Sequence, residues 1–291
     1  MTGEVPGIVP GDVQGTAIGV SLGPIGVDAA WWLDSACRLD AAGYRAIWTW
    51  DHFVSKGRDR TTPALEAWTI LSAAAAMTRR AFLGTFVLNV MNRHPAVLAR
   101  MAATLQHVSG GRLRLGLGIG GHPAEHQAYG IPFPEAPERA ARLEEAIGVL
   151  RALFAGGPVT LPGRYYPLSD AYAHPRPEPS PPILVGARTP AGVRLAARAG
   201  DGWAAESDDF ERLRPRYLEA LAVARRARRE QLVVVGFGGG RSGEDALRDS
   251  PWVERPAEEL ARWREAGADE VTVTARTTAD VDALVEAAAR R

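Results

Sequence analysis

Cysteine and lysine are almost missing from this sequence. Cys37 is the only cysteine in 291 residues, so no internal disulfide can form, which fits a reducing compartment. Lys56 is the only lysine; every other basic residue is arginine, which stays protonated and cannot serve as a Schiff-base amine. An imine-forming mechanism therefore uses Lys56 or does not exist. Neither sign of charge is in excess, with 34 Lys plus Arg against 34 Asp plus Glu, so no broad field favours nucleic-acid phosphates. No run of about 18 apolar residues occurs, which excludes a transmembrane helix. Residues 1–15 lack the basic and apolar regions of a signal peptide and read as a flexible N-terminal segment. These absences lead us to expect a cytoplasmic protein with no membrane or nucleic-acid partner.

What is present is an ordinary globular composition, 46% hydrophobic and 23% charged. Eight short apolar runs alternate with amphipathic segments. The predicted strands are 17–22, 46–50, 82–88, 113–119, 183–186, 202–205, 232–237 and 270–274. The predicted helices are 28–42, 63–77, 95–107, 137–155, 190–199, 210–229, 256–266 and 278–289, five of them opening at a proline. Gly43, Gly200 and Gly267 follow helices as expected left-handed caps. An uninterrupted alternation of eight strand–helix units predicts an α/β fold, a closed (β/α)8 TIM barrel filling a single domain over 1–291. Residues 156–182, rich in Pro and Tyr, read as an insertion between strands four and five that packs over a barrel end and shapes a substrate site.

Chemistry in such a barrel belongs at the carboxyl ends of its strands. The second strand ends in Trp48-Thr49-Trp50-Asp51-His52. Asp51 and His52 read equally as an ionisable pair at the barrel mouth or as a capping aspartate beside a satisfied histidine. The fourth strand runs into Gly116, Gly118, Ile119, Gly120 and Gly121, a glycine run with no helix after it, which argues against a dinucleotide fold. Those glycines either admit a ligand to the backbone or serve tight packing. His122, Glu125 and His126 have the spacing of metal ligands, but the prolines downstream favour loop-surface residues and no metal. Gly186, Ala187, Arg188 and Thr189 precede a helix start and suit either a phosphate or an ordinary turn.

The runs WTWDHF at 48–53, LGTFVLNVMNRHPAVLARMAATLQHVSGGRLRLGLGIGG at 83–121 and PPILVGARTPAGVRLAARAGDGW at 181–203, with REAGADEVTV near the end, resemble the luciferase-like flavin-dependent superfamily over nearly the whole chain. The Trp48-x-x-Asp51-His52 strand end resembles its branch that uses the deazaflavin coenzyme F420, with FMN the alternative cofactor. The resemblance implies hydride transfer between F420 and a small organic substrate, and the missing acid at Gly121 suits a reductase; an FMN-dependent monooxygenase and a non-catalytic flavin-binding homologue are the alternatives. It also implies a homodimer. Carried over, Asp51 and His52 border the cofactor ring, His52 handles the proton, and a non-proline cis peptide falls at Phe86-Val87. Asn89 lies at the ring edge, while Gly118 to Gly121 and Gly186 to Thr189 contact the ribityl and phosphate chain. Trp50, Lys56 and His122 face the substrate, and Trp48 lies near the ring. Two departures stand out: Gly121 replaces an acid, and Lys56 a tryptophan, of the sugar-phosphate dehydrogenases in this branch.

Overall fold

The computed structural model describes residues 17–55, 59–238 and 247–290. The N-terminal segment 1–15 and Lys56 lie outside the described residues. Strands β1 (Ile18–Leu22), β2 (Ala46–Thr49), β3 (Phe82–Thr85), β4 (Leu88–Asn89), β5 (Leu113–Gly118), β6 (Val159–Leu161), β7 (Leu168–Ala171), β8 (Ile183–Gly186), β9 (Gly202–Glu206), β10 (Leu232–Phe237) and β11 (Glu270–Ala275) alternate with helices. The helices are α1 (Ala29–Ala41), α2 (Ala67–Met77), α3 (Pro95–Ser109), α4 (Pro123–Tyr129), α5 (Ala136–Phe154), α6 (Pro190–Ala199), α7 (Ser207–Val223), α8 (Pro251–Glu254), α9 (Pro256–Glu265) and α10 (Thr278–Ala289).

The sheet order is β3-β2-β1-β11-β10-β9-β8-β5-β4, and β3 also pairs with β5, so the parallel sheet closes on itself. Strand β4 continues β3 after an interruption at Phe86-Val87 and pairs with β5. The result is the expected (β/α)8 barrel. Among the described residues, no helix is long and apolar enough to cross a membrane.

Period-two alternation explains where each strand residue goes. Ile47, Leu83, Leu113, Leu115, Leu117, Val233, Val235, Val271 and Val273 join the large core between strands and helices. The alternate positions face the barrel interior. There Ala46, Trp48, Leu184, Ala204, Leu232 and Val234 form a second cluster with Phe82, Phe86 and Val87 against it. Trp48 is fully buried in that interior, correcting the expectation that it lies beside a cofactor ring. Space for it comes from glycine: a Cβ on Gly84 would run into the Trp48 ring, and one on Gly19 would sit 2.8 Å from its Nε1.

Helix ends follow local chemistry. Asp28 accepts the Trp31 amide at 2.7 Å, and Thr277 and Asp280 make a reciprocal capping box on α10. Pro63, expected to open a helix, precedes α2 by four residues; Glu66 caps α2 instead, accepting from Trp68 and Thr69. Gly43 and Gly267 are left-handed as expected, whereas Gly200 is extended with φ −83. Gly200 is needed for room: a Cβ there would meet the Gly202 and Ala196 carbonyls at 2.9 and 3.0 Å.

The insertion corrects one expectation. Residues 156–182 carry the antiparallel hairpin β6–β7. Tyr165 and Tyr166 donate their amides to Glu145 of α5, and the carbonyls of Arg176 and Pro179 bond His107 and Gln106 of α3. The segment therefore lies along the outer helices, and its Tyr166 reaches the His94 ring at the amino-terminal end of α3. Topology fixes its two ends: a segment between a helix and the next strand starts and finishes at the amino-terminal end of the strands, while Tyr166 in between packs at the other end of α3.

Candidate active site

At the carboxyl ends of β2, β3–β4 and β5 the chain assembles a polar group of side chains. Asp51 follows β2 and is buried, with both oxygens occupied. Oδ2 accepts from the Asn89 amide at 3.0 Å, Asn92 Nδ2 at 3.1 Å and Arg93 Nη1 at 2.7 Å, and Oδ1 accepts from Arg93 Nη2 at 3.1 Å. Arg93 also pairs with Glu66, the cap of α2. Such a bidentate charge-assisted pair is a strong clamp. Asp51 thus ties β2 to the segment after β4, and its carboxylate is spent on that task.

His52, the next residue, turns outward with its side chain 40% exposed. Its Nδ1 lies 3.4 Å from Glu125 Oε2, and the Nδ1 of His122 lies 3.5 Å from the same oxygen. The two rings meet edge to face with centroids 5.9 Å apart. Glu125 is only 2% exposed and also accepts from the amides of Phe53 and Val54, at 2.9 and 3.3 Å. Residues 122–126 are therefore not a loop surface. Pro123–Tyr129 form a short helix, and Glu125 and His126 are both buried. His126 does not join the other two: its Nε2 is 2.6 Å from Asn89 Nδ2, and its ring packs on Phe133. Burial pushes the His126 imidazole below the usual histidine range, against the pull of Glu125, so it stays neutral and accepts from the Asn89 amide. The triplet the fold does bring together is His52, His122 and Glu125, one donor atom each within 4.8 Å. Spacing pointed to residues 122 and 125, but nothing in the sequence placed them against His52, 70 positions earlier.

The peptide Phe86-Val87 is cis, as the family resemblance implies. Both side chains enter the barrel interior, and the surrounding glycines make room for them. A Cβ on Gly118 would sit 2.6 Å from Val87, one on Gly186 2.9 Å, and one on Gly236 2.7 Å from Phe86. Packing therefore accounts for Gly118 and Gly186. Gly120 is left-handed with φ +75 against the Asn89 side chain, and the Ile119 carbonyl accepts from Arg139. Gly121 differs, since nothing stands within 4 Å of where its Cβ would be. Asn89 is buried and fully used, its Oδ1 accepting from Met91 and its Nδ2 facing Asn92 and His126.

On the opposite side of the mouth, Thr189 caps α6 by accepting from Gly192, and the Ala187 carbonyl accepts from Trp203 Nε1 at 3.0 Å. Arg188 remains 65% exposed while its Nε donates to Asp209 at 2.7 Å. Glu206, at the end of β9, escaped the sequence reading. Burial pushes its carboxyl above the ordinary range, helped by Asp208 and Asp209 and opposed by Arg188. Trp50 is half-buried beside Gly23, with the Arg276 guanidinium 6.0 Å from its ring. An exposed imidazole, an open glycine and an accessible arginine thus ring one barrel end.

The luciferase-like monooxygenase family model matches residues 15–239. The F420-dependent glucose-6-phosphate dehydrogenase of Beutenbergia cavernae is 38% identical over 187 residues, 64% of this chain and 54% of that protein. The F420-dependent hydroxymycolic acid dehydrogenase of Mycobacterium tuberculosis is 34% identical over 172 residues, 59% of this chain and 47% of that protein. The chain spans about half the length of the curated relatives it matches. Among solved structures, an F420-dependent secondary alcohol dehydrogenase in complex with an F420–acetone adduct superposes with a TM-score of 0.80. It is 21% identical, and the match covers 94% of this chain and 98% of that one. The coenzyme F420-dependent tetrahydromethanopterin reductase of Methanopyrus kandleri gives 0.74 at 19% identity, covering 94% and 97%. With the family model spanning most of the closed barrel and its mouth, this chain belongs to the luciferase-like monooxygenase family.

Proposed function

We propose that the protein is an F420-dependent oxidoreductase that reduces a small organic substrate, working as a homodimer. The observation that carries this reading is His52, which presents an exposed imidazole at the barrel mouth of a chain that also holds the cis peptide Phe86-Val87. The names of the relatives in sequence support F420 as the cofactor.

The residues present fit such a group. The space over Gly121 is open, the Val87 side chain offers an apolar floor, and the accessible Arg188 suits a phosphate. When bound, F420 supplies hydride transfer, because a 5-deazaflavin carries carbon where a flavin has N5. The protein's own share is orientation and the proton. Ile119 to Gly121 and Gly186 to Thr189 are the residues that would hold the phosphate-bearing chain of the cofactor. Arg188 would hold that anion, with its Asp209 partner keeping the guanidinium in place. Asp51 acts indirectly, clamping Arg93 so that the strand end bearing His52 is rigid. His52 gives the proton to the atom of the substrate that becomes negative as the reduction proceeds.

Equilibrium titration with F420 and with FMN, read by tryptophan fluorescence, tests the reading. Trp50 at the mouth is the reporter, since Trp48 is enclosed in the barrel. Saturable quenching by F420 with little response to FMN is the expected result. A preference for FMN would instead direct the search to oxygen-consuming reactions and overturn the deazaflavin reading. Sedimentation velocity checks the dimer.

A further inference from the structure

The atoms that meet at Glu125 are unusual in what they leave unpaired. The Nδ1 of His52 and the Nδ1 of His122 are both buried without a hydrogen-bond partner, and they stand 3.4 and 3.5 Å from the same carboxylate oxygen, about half an ångström beyond an ordinary N–H···O bond. That oxygen belongs to a side chain held by two backbone amides of the loop that carries His52. A carboxylate oxygen can only accept, so a ring nitrogen facing it is satisfied only when it carries a hydrogen. All four groups face Oε2, which has about two lone pairs, so bonding both rings takes a small rotation of each ring and a turn of the carboxylate that shares the donors with its second oxygen. Leaving buried polar atoms unpaired is costly.

We propose that Glu125 is a positioning residue that fixes His52 and His122 together in the Nδ1–H form, so that both Nε2 atoms become the proton-exchanging sites of the barrel mouth. The tautomer rests on geometry alone, while its use in catalysis rests on the reduction proposed above. In that reduction the substrate's polar double bond receives a hydride from the reduced cofactor on one atom. Its other atom receives the proton from Nε2 of the His52 imidazolium. What remains is neutral imidazole protonated at Nδ1, the form Glu125 already holds. The ring therefore need neither flip nor move its second proton during the step, and solvent restores the proton at Nε2. The second imidazole, His122, stands edge to face with the first and shares its anchor. Together they account for how a chain with Gly121 in place of an acid keeps a proton donor at this end. The arrangement follows the general rule that the partner of one ring nitrogen decides what the other can do.

Nitrogen-15 spectra of the full chain labelled at histidine decide the matter without any substrate. His94 is an internal reference of the opposite kind, because its Nδ1 accepts from the Ala96 amide at 3.2 Å and so carries no hydrogen. At a pH where the rings are neutral, His52 and His122 are expected as Nδ1–H, and His94 as Nε2–H. In Glu125→Met, which removes the acceptor, His52 and His122 should revert to Nε2–H, the usual form of free imidazole, while His94 is unmoved. Wild-type rings found as Nε2–H would overturn the proposal, even if the variant fails to fold. So would a folded Glu125→Met with both rings still Nδ1–H. Titrating the same wild-type sample with F420 separates the two readings. Bound F420 with Nε2–H rings refutes the tautomer proposal and spares the cofactor, whereas Nδ1–H rings without F420 binding do the reverse.

Discussion

Two adjacent residues with similar chemistry are put to opposite uses. Asp51 faces inward, loses its solvent and acquires four hydrogen bonds, while His52 stays accessible. His52→Ala should lower turnover by about 10²-fold or more, the usual cost of losing a general acid or base, with F420 affinity nearly retained. Steady-state rates beside a binding titration check it, and unchanged turnover would remove His52 from the mechanism. Arg188→Ala should do the converse and weaken F420 binding while rates at saturation persist. The Asp51–His52 ambiguity in the sequence is resolved only by what reaches each side chain from residues 89–93 and 125.

Elements are joined by carboxylates that collect backbone amides. Asp40, near the end of α1, accepts from Arg79, Arg80 and Ala81 at 2.9, 2.9 and 2.6 Å, binding α1 to the turn that enters β3. Burial by itself would raise its pKa. The amides of Ala81, Arg79 and Arg80, with the Arg112 guanidinium, outweigh burial and hold the carboxyl below the usual aspartate range. A depressed folded-state pKa means that the unfolded chain binds the proton more readily. The stability contributed by Asp40 is therefore complete above about pH 4, near the unfolded value, and is lost as pH falls through the lower folded value. Asp40→Asn should lower the melting temperature at neutral pH and flatten the acid limb of the stability curve, which thermal scans from pH 7 to 2 would show. Strand and helix positions were legible in the sequence because burial on both faces and helical periodicity leave direct patterns. The hairpin β6–β7 and helix α4 were not, since both are short and proline-flanked, and tertiary contacts hold them.

For the molecule as a whole, the barrel's interior end opposite the site holds a buried ion pair. Arg114 of β5 donates to Glu270 of β11 at 2.5 Å, and the guanidinium lies 3.8 Å from the Phe82 ring centroid. These strands are not neighbours in the sheet, so the pair spans the barrel. Arg114→Met would leave Glu270 buried without its hydrogen-bonded partner, with only the field of Arg45 beside it, and should cost about 3–5 kcal/mol of stability. Denaturant unfolding measures it, and a loss below about 1 kcal/mol, as for an exposed pair, would show that the interior relaxes or admits water. Because the pair lies at the other end from His52, folded Arg114→Met should retain F420 affinity.

By itself the sequence determined the eightfold alternation, the barrel and the end at which chemistry belongs. These depend on local periodicity and on a strand order that chain connectivity largely dictates. It also carried the Asp51–His52 pair and the Phe86-Val87 position through their resemblance to a family. Only the tertiary structure decided that Gly118 makes room for Val87 and Gly120 for Asn89, that the insertion runs along α3 and α5, and that Glu125 faces two histidines. The reason is physical: packing and carboxylate–imidazole contacts are short-ranged in space, and the residues that make them lie far apart along the chain.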